Sequence, residues 1–228
     1  MNRHALIHRH PHRRHLLCMA LASCVPVLAQ ADDAADLLRA AAHGDVVGVR
    51  RALDAGAPIE ACDGEGRTPI VAATYGKHLP VVRLLIARGA DVNAQDALRN
   101  SAFLLAGARG YTEIVRATLG AGADLASLNR FGGTALIPAC HYGHVETVRL
   151  LLTTPIDVDQ VNKLGWTALL EAVILGEGGA AHQEIVRLLL ARGAAVNLAD
   201  REGVTPLAHA QRLGQREVAA LLRAAGGR

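Results

Sequence analysis

The pattern of apolar and polar positions repeats along the chain from Asp63 onward. Each unit opens on Asp or Asn, continues with a short apolar segment after Thr or Ser, and then carries a second, longer apolar run. The opening residues follow one another at intervals of 33, 33, 33 and 38 residues: Asp63, Asp96, Asn129, Asn162 and Asp200. A fixed period in this range is typical of stacked supersecondary units that share one core. The sequence therefore predicts a solenoid with two helices in each unit.

The first helix of each unit is predicted to begin at a hydroxyl residue. A Ser or Thr hydroxyl can accept a backbone N–H of the first turn, and Pro suits the next position because its missing N–H has no helical partner there. Pro69 and Pro206 stand at that position. The hydroxyl residues are Thr68, Ser101, Thr134, Thr167 and Thr205. We expect their side chains to cap the first helices.

The second helix of each unit is predicted from a nearly continuous apolar run. Such a run indicates a helix buried between neighbours. The clearest examples are Val81–Ile86, Val148–Leu152 and Val186–Leu190. Gly89, Gly122 and Gly193 follow at the position where a left-handed residue commonly ends a helix.

The best-formed unit resembles the ankyrin repeat. It reads D-G-E-G-R-T-P-I at 63–70, G-K-H at 76–78 and R-G-A-D-V-N at 88–93. The resemblance implies an all-α repeat solenoid of helix-turn-helix units joined by β-hairpin fingers. It covers an ankyrin repeat domain at 32–228. Within it we place an N-terminal cap at 34–62, repeats at 63–95, 96–128, 129–161 and 162–199, and a C-terminal repeat or cap at 200–228.

Several positions depart from the ankyrin pattern. Arg99 replaces a usual Gly, Ala102 a usual Pro, and Pro155 the helix-ending Gly. The His that commonly accompanies the Thr-Pro pair is absent in every unit, so capping must rest on the hydroxyl alone. Five extra residues, 177–181, lengthen one unit. In the same unit Glu171 occupies a usually apolar position, where we expect it to need a hydrogen-bond partner and to organise the added loop.

Residues 1–31 are predicted to be a cleaved signal peptide. They combine a basic start, an apolar stretch and small residues before a cut after Ala31. This predicts a periplasmic or secreted protein, similar to the small exported ankyrin proteins of bacteria. Arg13 and Arg14 leave twin-arginine export open beside the general secretory route. Residues 21–24 resemble a lipobox, so the alternative is a lipoprotein tethered to the outer membrane through Cys24.

Charge gives little support to nucleic-acid binding. The leader holds four of the 24 Lys and Arg residues and no acid, which leaves 20 basic against 21 acidic residues after it. A nearly neutral chain lacks the basic footprint of a nucleic-acid-binding protein. We expect no nucleic acid, and a membrane only if Cys24 is lipidated.

No cofactor and no catalytic residue is predicted. The chain after the leader lacks a phosphate-binding loop, a C-x-x-C pair and the common hydrolase motifs. Cys140, beside His141, is expected to be a small buried residue, and metal-dependent catalysis there is the weakest alternative. Cys62 and Cys140 belong to distant layers, so no internal disulfide is expected. Cys62, beside a finger, is the candidate for pairing between chains.

The resemblance implies that fingers and first helices bind a partner along a concave face. Aromatic and arginine side chains tend to dominate such interfaces. The candidate protein-binding residues are Tyr75, Arg99, Arg109, Arg130, Phe131, His141, Tyr142, Leu164 and Trp166. We therefore predict a non-enzymatic periplasmic module for protein–protein interaction that supports or inhibits an enzyme or assembly. The sequence leaves open the structural lipoprotein and, last, the metal-dependent enzyme.

Overall fold

The structure is a computed structural model that describes the backbone from residue 27 and the side chains from residue 32 to residue 228. Twelve α-helices are present in this part of the chain. In chain order they are α1 (Val27–His43), α2 (Val46–Asp54), α3 (Pro69–Tyr75), α4 (Leu79–Ala87), α5 (Ala102–Arg109), α6 (Thr112–Gly120), α7 (Leu136–His141), α8 (Val145–Leu151), α9 (Ala168–Ile174), α10 (Ala180–Ala191), α11 (Pro206–Arg212) and α12 (Arg216–Ala224).

The helices form two stacked rows. The odd-numbered helices, called inner here, pack against one another in sequence, and so do the even-numbered, outer helices. Each inner helix also packs against the outer helix that follows it. The predicted all-α repeat solenoid of helix pairs is confirmed.

Each finger is a tight turn built on its opening Asp or Asn. In the second finger, Oδ1 of Asp96 accepts the N–H groups of Leu98 and Asn100 at 2.9 and 2.8 Å. The N–H of Asp96 in turn donates to the carbonyl of Asn100. The other four fingers repeat this arrangement. The period therefore marks a side chain that shapes a turn, and the fingers carry no strand in the described residues.

The fourth residue of each finger turn has a positive φ. Glycine provides it in four fingers, whereas Arg99 adopts φ 59° in the second. A residue with a Cβ is strained in this left-handed region. Arg99, which replaces the usual Gly, therefore adopts a strained backbone conformation.

The core is continuous and made mostly of small and aliphatic side chains. Ala73, Ala106, Ala139 and Ala172 are fully buried between neighbouring inner helices, and Phe103 is the largest side chain among the fully buried residues. Alanine lets the inner helices approach closely, while Leu and Val of the outer helices fill the remaining space. Burial of each Leu or Val contributes about 1.5–3 kcal/mol.

Three of the five predicted hydroxyl caps are present. Ser101, Thr167 and Thr205 accept the N–H three residues on, at 3.2, 3.2 and 3.3 Å. The prediction is wrong for Thr68 and Thr134, whose buried hydroxyls have no partner. Helix α7 begins one residue late, after Ala135, which places Thr134 outside the cap. Thr68 has nearly the backbone conformation of Thr205, so its side-chain rotamer makes the difference.

The outer helices end as the sequence predicts. Gly89, Gly122 and Gly193 adopt φ of 87°, 85° and 93°. Where Pro155 replaces this glycine, the hydroxyls of Thr153 and Thr154 donate to the carbonyls of Leu150 and Leu151. Two threonines thus satisfy the helix end that has no glycine.

Residues 177–179 of the insertion form a short loop, and its last two residues, Ala180 and Ala181, begin α10. Gln215 donates to the carbonyls of Val173 and Gly176, and Gln183 donates to that of Gly178. The prediction that Glu171 organises this loop is wrong. The loop is held by glutamine amides from α10 and from the turn before α12.

The predictions about the leader lie mainly outside the described residues, including Arg13, Arg14 and Cys24. The predicted cut after Ala31 falls inside α1, which begins at Val27. Among the residues described, no helix has both the length and the apolar character needed to span a membrane.

Candidate functional site

A groove of about 940 Å³ runs along the fingers and inner helices of the three central repeats. Seven of the nine predicted binding residues line it: Tyr75, Arg109, Arg130, Phe131, His141, Tyr142 and Leu164. Arg99 and Trp166 do not. Arg99 is exposed on the second finger, and Trp166 is half-buried at the end of the fourth finger.

One side of the groove is a row of apolar fingertips. The second residue after each opening Asp or Asn lies at the tip, and in the three central fingers it is Leu98, Phe131 or Leu164. These side chains are 45%, 55% and 52% exposed. The equivalent residues in the first and last fingers are Glu65 and Glu202. We call Leu98, Phe131 and Leu164 the fingertip row; it is an exposed apolar surface of limited length.

The opposite side is formed by the ends of the inner helices. Tyr142 and Leu175 are 59% and 40% exposed there, and Tyr75 and Tyr111 also line the groove. The rings of His141 and Tyr142 stack with centroids 4.2 Å apart. Arg130 lies over the ring of Phe131, with its guanidinium carbon 4.6 Å from the centroid. Both sides therefore present aromatic surface that protein interfaces favour.

The floor of the groove holds a nearly buried carboxyl group. Asn162 Nδ2 donates to Oε1 of Glu171 at 2.7 Å, which confirms that this carboxyl needs and finds a partner. Its Oε2 lies 3.6 Å from Nδ1 of His141, and its side chain is 9% exposed. Burial raises the pKa of Glu171 to about 7, against the lowering effect of the Asn162 hydrogen bond. Burial, with His182 nearby, lowers the pKa of His141.

Two arginines line the groove and two more basic residues lie on its fingers, and none of the four forms an ion pair in the described part of the chain. Arg109 and Arg130 line it, and Arg99 and Lys163 lie on the fingers that carry Leu98 and Leu164. Lys163 Nζ donates to the carbonyl of Arg130 at 2.9 Å. None of the four has a carboxylate within 4.0 Å among residues 32–228. Glu171 is the one carboxyl group among the described residues lining the groove.

The local chemistry does not favour a nucleophile or a metal centre. Cys140 is fully buried, and burial, with Glu171 nearby, raises the pKa of its thiol well above the usual range. In the described part of the chain, no three His, Cys, Asp or Glu side chains are grouped to hold a metal ion. His78 and His182 bond through Nε2 to the carbonyls of Ala42 and His141 in the preceding repeat. These histidines join adjacent repeats.

Four further residues line the groove but were not predicted from the sequence: Leu98, Tyr111, Leu175 and Asn162. Leu98 was detectable, because it shares the fingertip position with Phe131 and Leu164. Selection by residue type favoured Trp166 instead, two positions beyond the tip. Asn162 was recognised only as the start of a unit, since nothing in the sequence indicates which way its amide points.

Comparison with known proteins agrees with this architecture. The family model described as "Ankyrin repeats (3 copies)" matches residues 103–198, and the single "Ankyrin repeat" model matches residues 65–97. A comparison with curated proteins gave no match.

Solved structures of ankyrin repeat proteins superimpose over most of the chain. An ankyrin repeat domain from Acinetobacter baumannii AYE is 50% identical with a TM-score of 0.82, over 84% of this chain and 98% of that domain. The ankyrin repeat protein EF0377 is 39% identical with a TM-score of 0.80, over 83% and 97%. The ankyrin repeat domain of Bcl-3, a member of the IkappaB family, is 30% identical with a TM-score of 0.76, over 85% and 86%. From its repeats, its fold and these similarities, the chain belongs to the ankyrin repeat family.

Proposed function

We propose that this protein is a periplasmic protein-binding module, without catalytic activity of its own, that supports or inhibits an enzyme or assembly. Ankyrin repeats generally mediate protein–protein interactions. The observation that carries the proposal is the exposed fingertip row beside a groove of about 940 Å³. Exposed apolar residues that form a contiguous surface mark interaction sites more often than scattered ones do.

The binding site is tested by partner isolation from periplasmic extract. Wild type is compared with the triple variant Leu98→Ser/Phe131→Ser/Leu164→Ser, and with Val47→Ser on α2 as the matched control, since Val47 is 75% exposed away from the groove. The triple variant is expected to lose a protein that wild type and the control both recover. Equal recovery of every protein by all three would contradict the proposed site.

Export is tested separately, by mass spectrometry of the protein purified from cells. A mature chain that begins at Asp32 is the expected result. A lipid-modified N-terminus at Cys24 would replace the free periplasmic module with the tethered lipoprotein, and an intact leader would contradict export altogether.

A further inference from the structure

We propose that the groove binds an acidic segment of a partner protein, whose apolar side chains contact the fingertip row and whose carboxylates pair with Arg109 and Arg130. This inference rests on the proposed function, because it assigns the chemistry of the partner to the same groove.

Arginines on the outer helices of the middle repeats have carboxylate partners, unlike the basic residues at the groove. On the outer helices α4, α8 and α10 the arginines are paired: Arg83 lies 3.8 Å from Glu113, and Arg149 and Arg187 lie 2.9 and 3.4 Å from Glu184. These pairs join neighbouring repeats or stay within one helix. The outer helices of the middle repeats therefore carry arginines whose charge is largely neutralised.

The positive charge at the groove is uncompensated within the described part of the chain. Three consecutive repeats carry the basic residues Arg99, Arg109, Arg130 and Lys163. None of them has a carboxylate partner among the described residues. Charge complementarity across an interface speeds association and selects among partners. An acidic segment is the protein ligand that compensates this charge.

The groove floor holds the carboxyl group of Glu171. Glu171 has 9% of its side chain exposed and accepts the Asn162 amide. With a pKa of about 7 it carries only part of a negative charge at neutral pH. It therefore offsets little of the positive charge around it.

Other occupants are distinguished by charge. The leader of this chain, residues 1–31, has four arginines and no acid, so it matches the groove poorly. A nucleic acid is anionic but gives the fingertip row no aliphatic contact. A second copy of the chain remains a distinct outcome of the test.

The experiment is selection of a random peptide display library on the purified chain. The probes are the enriched peptides, resynthesised and measured by fluorescence anisotropy. We expect peptides that combine Asp or Glu with apolar residues, enriched several-fold over the unselected library, and that lose binding to Leu98→Ser/Phe131→Ser/Leu164→Ser. Peptides that need the fingertip row but are neutral or basic would overturn the acidic assignment and leave the proposed function standing. If no peptide depended on the fingertip row, the proposed function would fail as well.

Charge variants then test the assigned arginines. Arg109→Ala and Arg130→Ala are each expected to lower the affinity for an acidic peptide about two- to fivefold, which is the effect of losing one exposed ion pair. Arg116→Ala on α6 is the matched control and should leave the affinity unchanged. Equal affinity in all three variants would overturn the pairing. Displacement of the peptide by single-stranded DNA, or a dimer of the chain that Arg109→Glu/Arg130→Glu dissociates, would overturn the protein-segment assignment.

Discussion

Asn162 and Glu171 are nine residues apart and are joined by a 2.7 Å hydrogen bond from Nδ2 to Oε1. The same Asn162 uses its Oδ1 to shape the finger, by accepting the N–H groups of Leu164 and Trp166. In the following repeat the equivalent residues are Asp200 and His209, whose Oδ2 and Nε2 lie 2.6 Å apart. There the opening residue accepts the hydrogen bond, whereas Asn162 donates it. One opening residue thus fixes both the fingertip and the floor of the groove.

The raised pKa of Glu171 makes a pH dependence of stability the first prediction. Folding raises this pKa from 4.5 to about 7, so the folded state binds the proton more tightly than the unfolded state does. The free energy of unfolding contributed by this group is therefore highest below pH 4.5 and falls as the pH rises to 7. We expect a fall of about 2 kcal/mol, reduced from the full shift because the groove is open to water.

Urea unfolding between pH 4.5 and 8 measures this effect. The comparison is wild type against Glu171→Gln, which keeps an acceptor for Asn162 but does not ionise. His141 has a lowered pKa and acts in the opposite direction, but it is present in both proteins. As the pH rises from 4.5 to 7, the stability of wild type should fall relative to that of Glu171→Gln, and curves that stay parallel over this range would contradict the prediction.

Gly107 on α5 gives a prediction about close helix packing. A Cβ at this position would lie 2.8 Å from the Cβ and 3.0 Å from the carbonyl oxygen of Ala135. Although Ala is favoured over Gly in helices by about 1 kcal/mol, Gly107→Ala is expected to destabilise by about 1–3 kcal/mol through this clash. Gly120 on α6, which has no such neighbour, serves as the control. Gly120→Ala should be neutral or stabilising by about 0.5 kcal/mol in urea unfolding.

The two states of the helix caps give a matched pair of threonine variants. Thr68 and Thr167 are both buried N-cap residues, but the hydroxyl of Thr167 caps α9, whereas that of Thr68 has no partner. Thr167→Val is expected to lower the free energy of unfolding by about 1 kcal/mol. Thr68→Val should leave it unchanged or raise it, because a buried unpaired hydroxyl is removed. Equal losses in thermal or urea unfolding would show that both hydroxyls are bonded.

Asp96 tests the importance of the finger anchor. Its carboxylate accepts two backbone N–H groups and the hydroxyl of Tyr75 at 3.0 Å. Asp96→Ala leaves these donors without a partner and is expected to cost about 2–4 kcal/mol in urea unfolding. Asp96→Asn keeps the Oδ1 acceptor, as in the fingers of Asn129 and Asn162, and should cost less than about 1 kcal/mol. A small effect of the alanine variant would mean that the finger does not need its anchor.

The sequence predicted the features that recur in every repeat and missed those that depend on a single orientation. The helix rows, the glycine helix ends and most groove residues follow from position in the 33-residue period. The unpaired hydroxyl of Thr68 depends on a rotamer, which the period does not encode. Trp166 was selected because of its size, although its position lies two residues past the tip. Glu171 was recognised as needing a hydrogen-bond partner. That partner is Asn162, which lies nine residues earlier in the finger, and the sequence does not indicate that the two side chains meet.

The location of the groove in the central repeats has a consequence for how the protein opens. Each repeat packs only against its neighbours, so the end repeats can unfold locally while the centre remains folded. Leu98, Phe131 and Leu164 all lie at least one full repeat from either end of the stack. Fraying of α1 and α2, or of α11 and α12, therefore leaves the fingertip row folded, so the apolar part of the binding surface persists while either end of the stack is open.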